Sequence, residues 1–549
     1  MNNSALRFIP LGGVGTFGMN CAVLEWGDEA VVIDAGIKIP QGNFPGVDLF
    51  LPDFTYILEN TGRLKAVIVT HGHDDHIGAL PYLLDKVDVP VYGTAFSLAL
   101  VRERLSNDSG KAAEKDLRQI LFGVPFEVGT AVMEAVRVDH SIPDSASLVI
   151  RTPAGTVVHS GDFRIPEGVP GPDLNQLKAA GEEGVELLVC DSTNADHPGV
   201  TPSESEVAET LSSLFSRASG RVFLATFASH IMRISAVILA AREVGRKVVL
   251  EGRRIVRNFE IASRLGYIPD SNGVVVSRES LSSGEAERVV YLMTGSQGEP
   301  FSALARIARG EHSEIGVGRG DTVIFSSRMI PGNELAVGRM IDSLFRMGAS
   351  VFYKDPPCVH VSGHGYADEI SAMINLVAPR HFAPVHGDYR NLVACSDLAK
   401  ENGMDPGSVH LLDPGEVLEI EDGKASRGGT VPSGRVLVDG EMIASLADPM
   451  LRQRRRMARE GVVVVAVSMP VPGTPVGEPA VHSVGVGVGS QGEELDLEAA
   501  EEARRVLKQA RLKKISREKL KEELRFAVRS IYRRALDKRP TVIPVILED

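Results

Sequence analysis

The first 200 residues contain a series of short apolar segments, and most of these segments end at a histidine or an aspartate. The segments are rich in valine and isoleucine and span only a few residues, which favours β-strands over buried helices. They are Leu6–Leu11, Ala30–Ile33, Ala66–Thr70, Val132–Val138, Thr156–His159 and Leu187–Cys190. The polar residues at or just beyond their ends are Asp34, His71, His140, Asp162 and Asp191. Such a pattern predicts a polar site on the rim of a sheet.

The densest of these strand ends is the run HGHDDH at residues 71–76, directly after the predicted strand LKAVIVT. It places His71, His73, Asp75 and His76 within six residues. A histidine-rich turn of this kind has no evident packing purpose. It is tight enough to supply ligands to two adjacent metal ions. Imidazole and carboxylate ligands suit zinc, with manganese and iron as competitors.

The pattern changes between about 211 and 350, where strands alternate with helices. Predicted strands at 221–226, 247–251, 289–294 and 322–326 alternate with predicted helices at 231–244 and 301–308. This alternation is typical of an α/β insert with a parallel sheet. We therefore predict four regions: a first domain part at 1–210, an insert at 211–350, a second domain part at 351–460 and a small domain at 461–549.

The regions 351–460 and 461–549 are expected to differ in their secondary structure. Residues 351–460 are expected to return to short strands joined by histidine-rich turns. The Pro/Gly-rich stretch Met469–Pro479 is expected to be a linker or a long turn. After it we predict a strand at Val484–Val488, amphipathic helices at about 496–513 and 516–537, and a strand at Thr541–Leu547. The helices carry an apolar stripe made of Val506, Leu507, Leu520, Leu524, Val528 and Ile531.

The composition indicates a reducing compartment and argues against nucleic acid as a partner. Four well-separated cysteines without a CxxC pair fit a reducing environment. The first residues show no signal peptide and no apolar run reaches membrane-spanning length, so we expect a cytoplasmic protein without membrane contact. The net charge of −13 argues against nucleic acid. Charge is unevenly distributed, however, with 15 Lys and Arg against 4 Asp and Glu between Arg504 and Arg539. A confined positive path to the metal site is therefore expected.

The HGHDDH run, with VVIDAG before it and TVVHSGDF after it, resembles the metallo-β-lactamase superfamily. The resemblance implies an α/β fold whose core is an αββα sandwich, and two divalent metal ions, either Zn2+ or Mn2+. It also implies their ligands: His71, His73 and His140 for the first ion, Asp75 and His76 for the second, and Asp162 between them. Asp34 would orient these ligands from a second layer. Two such ions activate a hydroxide and polarise the electrophile.

Three further motifs resemble motifs A, B and C of the β-CASP nucleases, a branch restricted to nucleic-acid substrates. They are CDSTN around Asp191, HVSGHG around His364 and PVHGDY around His386. The branch implies that residues 211–350 are a β-CASP domain inserted into the sandwich. A histidine at the third motif is the form associated with RNA processing, and His386 would complete the ligands of the second ion.

The segments LGGVGTFGMN, TGSQGEP, SSRMIPGNE and RPTVIPVILE narrow the match. From about residue 6 to residue 548 the chain resembles the bacterial ribonuclease J family. This resemblance implies 5′→3′ exonuclease activity on 5′-monophosphorylated single-stranded RNA together with endonuclease activity, in RNA maturation and decay. It also implies a small α+β C-terminal domain that supports a homodimer or homotetramer, and RNA-decay proteins as partners. One departure is Thr16-Phe17, where the family usually has Glu-Ile.

Roles for the remaining motif residues follow from their chemistry and from the resemblance. His364 lies in a Gly-rich turn and can protonate the leaving 3′-oxygen, with Asp191 orienting it. Asp191 has the alternative role of a helix cap or turn residue. By resemblance, the substrate phosphate contacts Ser229, His230, His360, Val361, Ser362, Gly363 and His364. An ordinary N-cap is the alternative for Ser229-His230, and strand packing is the alternative for His360.

Other hypotheses stay open at this point. A thioester or lactone hydrolase would need neither the insert nor the phosphate-binding turns, and a non-catalytic RNA scaffold would be expected to have lost ligands. A β-CASP nuclease that prefers DNA is the nearest rival, and His386 is the feature against it. A basic run near residue 455 either contacts RNA or is a solvated helix face. It consists of Arg452, Arg454, Arg455, Arg456 and Arg459. The histidines outside the motifs are expected to be structural: His159, His197, His312, His381, His410 and His482.

Overall fold

The computed structural model describes residues 5–40, 42, 44–108, 114–165, 174–330, 332–471, 474–487, 489–513 and 515–547. The chain divides into two compact units. The first unit comprises Met1–Ile39 and Leu49–Val436, and the second comprises Pro40–Asp48 and Leu437–Asp549.

The first unit opens with strands that confirm the six strands predicted from the sequence. Its strands up to residue 191 are β1 (Leu6–Gly12), β2 (Val14–Gly15), β3 (Cys21–Trp26), β4 (Glu29–Ile33), β5 (Leu49–Pro52), β6 (Leu64–Ile68), β7 (Val91–Gly93), β8 (Leu117–Gln119), β9 (Phe126–Val128), β10 (Ala131–Arg137), β11 (Ala146–Thr152), β12 (Gly155–His159) and β13 (Leu187–Asp191). The helices among and after them are α1 (Thr55–Glu59), α2 (Asp74–Ile77), α3 (Leu80–Leu84), α4 (Ala95–Asp108), α5 (Leu174–Glu183) and α6 (Glu204–Arg217).

An α/β insert follows, with strands β14 (Val222–Ala225), β15 (Val248–Glu251), β16 (Val290–Met293), β17 (Thr322–Phe325) and β18 (Ser350–Phe352). Its helices are α7 (Ile231–Glu243), α8 (Arg253–Arg264), α9 (Ser283–Ala286), α10 (Ala303–Ala308) and α11 (Glu334–Arg346). The five strands form one sheet in the order β15-β16-β14-β17-β18, and every pairing is parallel. This confirms the predicted parallel insert.

The chain then returns to the first domain through α12 (Ala367–Val377), β19 (His381–Val385), β20 (Gly387–Asp388), α13 (Tyr389–Glu401), β21 (Glu416–Glu421) and β22 (Lys424–Thr430). The prediction of short strands with histidine-rich turns was wrong for α12 and α13. Helix α12 buries Ile370, Met373, Ile374 and Val377, whose spacing of three and four residues is that of one helix face. The motif HVSGHG lies just before α12, whereas His386 lies between β19 and the two-residue strand β20, directly before α13.

Two sheets pack face to face in the first domain. One has the order β22-β21-β1-β3-β4-β6-β7-β8 and the other the order β19-β13-β12-β11-β10-β9. Phe8, Leu24 and Ile68 of the first sheet share a core with Met133 and Leu148 of the second. Helices α5, α12 and α13 cover the outer face of the second sheet, and α4 packs on β7 and β8. These four layers are the predicted αββα sandwich, so the predicted fold class is confirmed.

The second unit contains β23 (Arg435–Asp439, which begins in the first unit), β24 (Met442–Ser445), α14 (Pro449–Glu460), β25 (Val462–Val471), β26 (Thr474–Val484), α15 (Ser490–Lys513), α16 (Arg517–Leu536) and β27 (Thr541–Leu547). The linker predicted at 469–479 was wrong, because β25 and β26 pair there as an antiparallel hairpin. The ladder shifts register between Ala466 and Val471, and such irregularities accommodate prolines in a strand. Strand β26 ends at Val484, where the prediction had begun a strand, and Val488 lies outside the described residues.

The two long helices of the second unit confirm the predicted pair. Leu507, Leu520, Leu524, Val528 and Ile531 are buried against Val463 and Val465 of the sheet, with Val506 partly buried beside them. The apolar stripe is therefore the unit's own core and not an exposed interface. Among the helices of the described ranges, none combines the length and the apolar character that a bilayer crossing requires.

Candidate metal centre

The run HGHDDH occupies the junction between β6 and α2, and this junction sets the positions of its side chains. His73 is the N-cap residue of α2 and has extended backbone angles. Asp75 and His76 lie in the first turn of the helix that follows. The run therefore supplies ligands from an extended segment and from a helical turn, which separates them into two sets.

The first donor set combines this run with the ends of two other strands. Nδ1 of His73 lies 3.0 Å from Nε2 of His71 and 3.1 Å from Nε2 of His140. Oδ2 of Asp162 lies 3.5 Å from Nε2 of His71 and 3.7 Å from Nε2 of His140. Ligands that are about 2.1 Å from a tetrahedral zinc ion are about 3.4 Å apart. These four atoms therefore have the spacing that one cation requires.

The second donor set consists of Asp75, His76 and His386, and Asp162 reaches it as well. Nε2 of His386 lies 3.2 Å from Oδ2 of Asp75 and 3.5 Å from Oδ2 of Asp162. Nε2 of His76 lies 3.7 Å and 3.2 Å from the same two oxygens. Oδ2 of Asp162 thus faces both sets, as a ligand shared by two cations must.

The backbone around Asp162 explains why this carboxylate reaches both sets. The preceding Gly161 has a φ of +59°, and a Cβ atom there would lie 2.4 Å from the carbonyl oxygen of Ala146. Only glycine fits such a close turn without strain. The amide of Gly161 donates to Nδ1 of buried His159 at 3.0 Å, which agrees with the structural role predicted for that histidine.

His364 and Asp191 lie at the edge of the two donor sets. Nδ1 of His364 donates to Oδ2 of Asp191 at 2.7 Å. This bond leaves Nε2 of His364 on the side of Asp162, 3.9 Å from its Oδ2. Burial disfavours the protonated imidazole, but the carboxylates of Asp191 and Asp162 outweigh this and raise the pKa of His364.

Asp34 accepts a hydrogen bond from the ring nitrogen of His76 that faces away from the second donor set. Its Oδ2 accepts a hydrogen bond from Nδ1 of His76 at 2.7 Å, which leaves Nε2 of His76 facing the second donor set. Thr70 donates its amide and its hydroxyl to the two Asp34 oxygens at 2.8 and 2.7 Å. The carboxylate therefore has a fixed position, and the imidazole that it bonds has a fixed ring orientation.

The electrostatics put most of the donors in the form that binds a cation. Burial lowers the pKa of His73 to about 4 and lowers those of His71 and His140 well below the ordinary value, so these rings are neutral. Burial opposes the charged form of Asp162, but the surrounding imidazoles hold its pKa well below the usual range. Neutral imidazoles and an ionised carboxylate are the metal-binding forms.

The pKa values of the two histidines in the second set reflect the negative charge of the nearby carboxylates. Burial disfavours protonation of both rings, yet Asp162 and Asp75 raise the pKa of His76 well above its ordinary value and that of His386 to about 9. The carboxylates thus attract positive charge strongly enough to overcome burial. Divalent cations bound at such a site release these protons, so the donor set fits metal binding.

His230 is placed differently from the role in phosphate binding expected by resemblance. It is the N-cap residue of α7, and its Nδ1 accepts a hydrogen bond from the amide of Arg233 at 3.2 Å. Its Nε2 lies 3.4 Å from a carboxylate oxygen of Glu204, and the side chain is only 2% exposed. The imidazole is therefore a helix cap, as in the alternative role, and the preceding Ser229 is partly exposed.

The turn at 360–364 lies beside the first donor set. The carbonyl oxygen of Gly363 accepts from Nδ1 of His140 at 2.7 Å. The Ser362 hydroxyl accepts from the amide of His364 at 3.1 Å. Val361 is buried, and the ring of half-buried His360 lies 6.3 Å from that of His230. Of the predicted substrate residues, the structure thus places this turn next to the first donor set.

Three residues of the site were not predicted from the sequence. Oγ1 of Thr193 lies 2.7 Å from Oδ1 of Asp191 and 2.7 Å from Nδ1 of His386, so it links the two. Asn194 donates to Oγ of Ser362 at 2.8 Å. Arg328 donates to Oδ1 of Asn194 at 3.2 Å. All three lie in the motif segments CDSTN and SSRMIPGNE, in which the sequence predicts a role for Asp191 alone.

The basic run of α14 belongs to the second unit. Arg454 pairs with Asp439 at 2.5 Å, and the guanidinium of Arg455 lies 4.9 Å from the centre of the Phe44 ring. Arg452 and Arg456 are exposed on the same helix. Part of the run therefore stabilises its own unit, and contact with RNA stays a prediction for the rest.

Four family models match the chain in the order in which the domains occur. They are the metallo-beta-lactamase superfamily at 14–214, the ribonuclease J beta-CASP domain at 219–344, the Zn-dependent metallo-hydrolase RNA specificity domain at 358–410, and the ribonuclease J C-terminal domain at 449–549. Fold, donor sets and insert together define a hydrolase of the β-CASP class of metallo-β-lactamase proteins.

Whole-length relatives narrow the class further. Ribonuclease J of Thermus thermophilus is 38% identical over 99% of this chain and 95% of its own length. Ribonuclease J2 of Bacillus subtilis is 35% identical over 100% and 99%, and ribonuclease J of Mycobacterium tuberculosis is 40% identical over 88% and 87%. The chain belongs to the ribonuclease J family, which confirms the resemblance inferred from its motifs. Members of this family are metal-dependent hydrolases, so the predicted enzyme class is confirmed as well.

A solved structure supports the fold alone. A protein of unknown function from Enterococcus faecalis V583 superposes with a TM-score of 0.50 at 16% sequence identity, over 76% of this chain and all of the other.

Proposed function

We propose that the protein hydrolyses phosphodiester bonds of single-stranded RNA with two divalent cations, as a 5′→3′ exonuclease on 5′-monophosphorylated ends and also as an endonuclease. The observation that carries the proposal is the position of Asp162. Its Oδ2 lies 3.5 Å from Nε2 of His71 in one donor set and 3.2 Å from Nε2 of His76 in the other. A carboxylate shared in this way suits a pair of cations that act on one phosphate.

Each donor set has a role in this proposal. His71, His73 and His140 hold the first cation, and Asp75, His76 and His386 hold the second, with Asp162 shared between them. When bound, the pair supplies Lewis acidity and a nucleophile derived from water. Zn2+ fits the imidazole-rich first set, and Mn2+ is the alternative. Asp34 keeps His76 in the ring orientation that directs Nε2 to the second cation.

His364 supplies the proton for the leaving group. Its Nδ1 proton is held by Asp191 at 2.7 Å, so Nε2 is the nitrogen that faces the substrate. A proton transferred from Nε2 to the departing 3′-oxygen avoids a free alkoxide. The products then carry a 5′-phosphate and a 3′-hydroxyl group.

Substrate phosphate is held by the turn beside the first donor set and by the turn that opens α7. The glycine of the turn His360–His364 allows close approach of a phosphate to its backbone amides. Ser229 precedes the 13-residue helix α7, whose N-terminal end carries the positive pole of the helix dipole and favours an anion. His230 and Val361, which are buried, act by holding these turns in shape.

Assembly and location complete the proposal. By its family, the protein forms a homodimer or a homotetramer through its C-terminal domain and acts with other RNA-decay proteins in the cytoplasm. The charge of the cleft between the sandwich and the insert is expected to be positive, in spite of the acidic total of −13.

One assay tests the activity and its rivals. Matched RNA and DNA strands with 5′-monophosphate or 5′-triphosphate ends are incubated with the protein, with and without a chelator, and the product lengths are measured. We expect mononucleotides from the 5′-monophosphorylated RNA alone, internal fragments from both RNAs and no product with chelator. Preferred cleavage of DNA would support the DNA-nuclease alternative and contradict the proposal.

A further inference from the structure

Two cationic side chains converge on one uncharged hydroxyl group, that of Thr16 in the first glycine loop. The ammonium group of Lys38 donates a hydrogen bond to Oγ1 of Thr16. Nη2 of Arg435 donates to the same oxygen at 3.5 Å. A hydroxyl oxygen accepts both bonds but neutralises neither charge.

The two cations have no counterion of their own. Neither forms an ion pair with a carboxylate in the part of the chain that the structure describes. The charge of Asp388 acts on Lys38 from a distance, and this carboxylate pairs with Arg390 at 3.3 Å. Burial and the charge of Arg435 together lower the pKa of Lys38. Two like charges held together without an acid are unfavourable until an anion joins them.

Both cations are held in position by the first unit. The backbone of Lys38 pairs with that of Phe50 through two hydrogen bonds of 3.0 and 2.8 Å. The guanidinium of Arg435 lies 6.0 Å from the centre of the Phe50 ring, and its side chain is exposed. The groups are therefore oriented before any ligand arrives, while Arg435 stays accessible to one.

The glycine loop connects this pair to the metal centre. Thr16 forms a β-bridge with Gly387, and the ring of Phe17 lies 6.2 Å from the ring of His386. The amide of His386 donates to the carbonyl oxygen of Gly13 at 2.6 Å. Lys38 and Arg435 thus lie beside the loop that contacts His386, a proposed ligand of the second metal ion.

We propose that Lys38, Arg435 and the Thr16 hydroxyl form a subsite for one backbone phosphate of RNA, on the 3′ side of the bond that is cleaved. The proposal rests on the ribonuclease activity proposed above. There His364 serves the leaving 3′-oxygen, which belongs to the nucleotide on the 5′ side. The glycine loop packs on His386, away from the turn of His364 in the sequence. We therefore assign the side chains of Lys38 and Arg435, which lie beside this loop, to the nucleotide on the 3′ side.

The chain itself supplies a sharp test, because a carboxylate at position 16 would neutralise both cations. The substrates are a 5′-monophosphorylated decamer and the corresponding dinucleotide, which has no phosphate beyond the cleaved bond. For the wild type we expect a lower KM for the decamer. In T16E this advantage should fall about tenfold, and the slope of log KM against log salt should fall by about 0.7, the value for one phosphate of a single strand.

Matched variants separate charge from shape. T16Q has nearly the size of T16E without its charge, and it should keep most of the decamer advantage. K38A and R435A should lose it, whereas K86A, which removes an exposed lysine paired with Asp85, should not. Thermal unfolding checks the fold, and T16E should unfold at the same temperature as the wild type or higher.

The possible results separate failure of the subsite from failure of the proposed function. Equal losses in T16E and T16Q, or equal losses on both substrates in K38A, would overturn the subsite while leaving the ribonuclease activity in place. A wild-type protein that cleaves neither substrate would overturn the proposed function itself, and the subsite with it. Loss of the advantage in T16E, K38A and R435A alone supports the subsite.

Discussion

Nδ1 of His364 donates a 2.7 Å hydrogen bond to Asp191, so the opposite ring nitrogen is the one directed at the metal centre. We predict that H364A lowers kcat by about 10²–10⁴-fold, the usual range for loss of a general acid, with little change in KM. D191N should lower kcat less, because the imidazole is still present but no longer held. Steady-state rates on 5′-monophosphorylated RNA measure both effects.

The double variant H364A/D191N decides whether the two residues act as one unit. If Asp191 acts only through His364, the double variant should be no slower than H364A. Additive losses would mean that Asp191 has a separate role, which its bonds to Thr193 would then have to explain.

The donor sets predict a specific pattern of metal content. Wild-type protein should bind about two divalent cations per chain, D75A about one, and D162A fewer than D75A because Asp162 faces both sets. Elemental analysis after dialysis measures the content directly. H482A, which removes an exposed histidine of the second unit, should match the wild type.

Removal of the cations should also lower stability. A ligand present at 100 times its Kd stabilises a folded protein by about 2.7 kcal/mol, so a chelator should lower Tm by several degrees. The same chelator should leave the Tm of D162A nearly unchanged. A wild-type Tm that did not respond to the chelator would contradict binding at these residues.

Gly36 packs against Asp75 of the second donor set. A Cβ atom on Gly36 would lie 1.6 Å from the carbonyl oxygen of Asp75. G36A must therefore displace the first turn of α2, and we expect a loss of about 3 kcal/mol of stability together with loss of activity. Denaturant unfolding measures the former. G62A is the control, since a Cβ atom on Gly62 meets nothing within 4 Å.

The sequence was sufficient to predict the parts of the site that depend on strand ends. Asp34 and His71 follow β4 and β6, which are parallel neighbours in one sheet, so their ends meet at one edge. Asp162 follows β12 of the sheet that packs against this one. The insert was predicted for a similar reason, because strand–helix alternation from about 211 to 350 has few other solutions.

The parts that were missed depend on contacts between distant segments. The sequence of the hairpin β25–β26 is rich in Pro and Gly, and only pairing with a partner strand makes it a strand. Likewise His230 opens a helix in either role, and the position of Glu204 3.4 Å from its Nε2 is a tertiary fact. Thr193 has no pattern of its own and is recognised only because Asp191 and His386 meet at it.

Arg328 connects the insert to the segments around Asp191 and His364. It extends from the insert and donates to Asn194 at 3.2 Å and to Nε2 of His197 at 2.6 Å. Asn194 in turn donates to Ser362 and to the carbonyl oxygen of His364. Removing Arg328 should therefore loosen the turn at 360–364, which is proposed to hold substrate phosphate.

We expect R328A to raise the KM for RNA about tenfold, with a smaller loss in kcat, because His364 keeps its bond to Asp191. R328K should recover only part of the loss, since one ammonium group lacks the planar fork of arginine that reaches both partners. R242A, on an exposed position of α7, is the control and should leave both constants unchanged. If R328K matched the wild type, positive charge alone would account for the contribution of this residue, and the bonds to Asn194 and His197 would have no part in it.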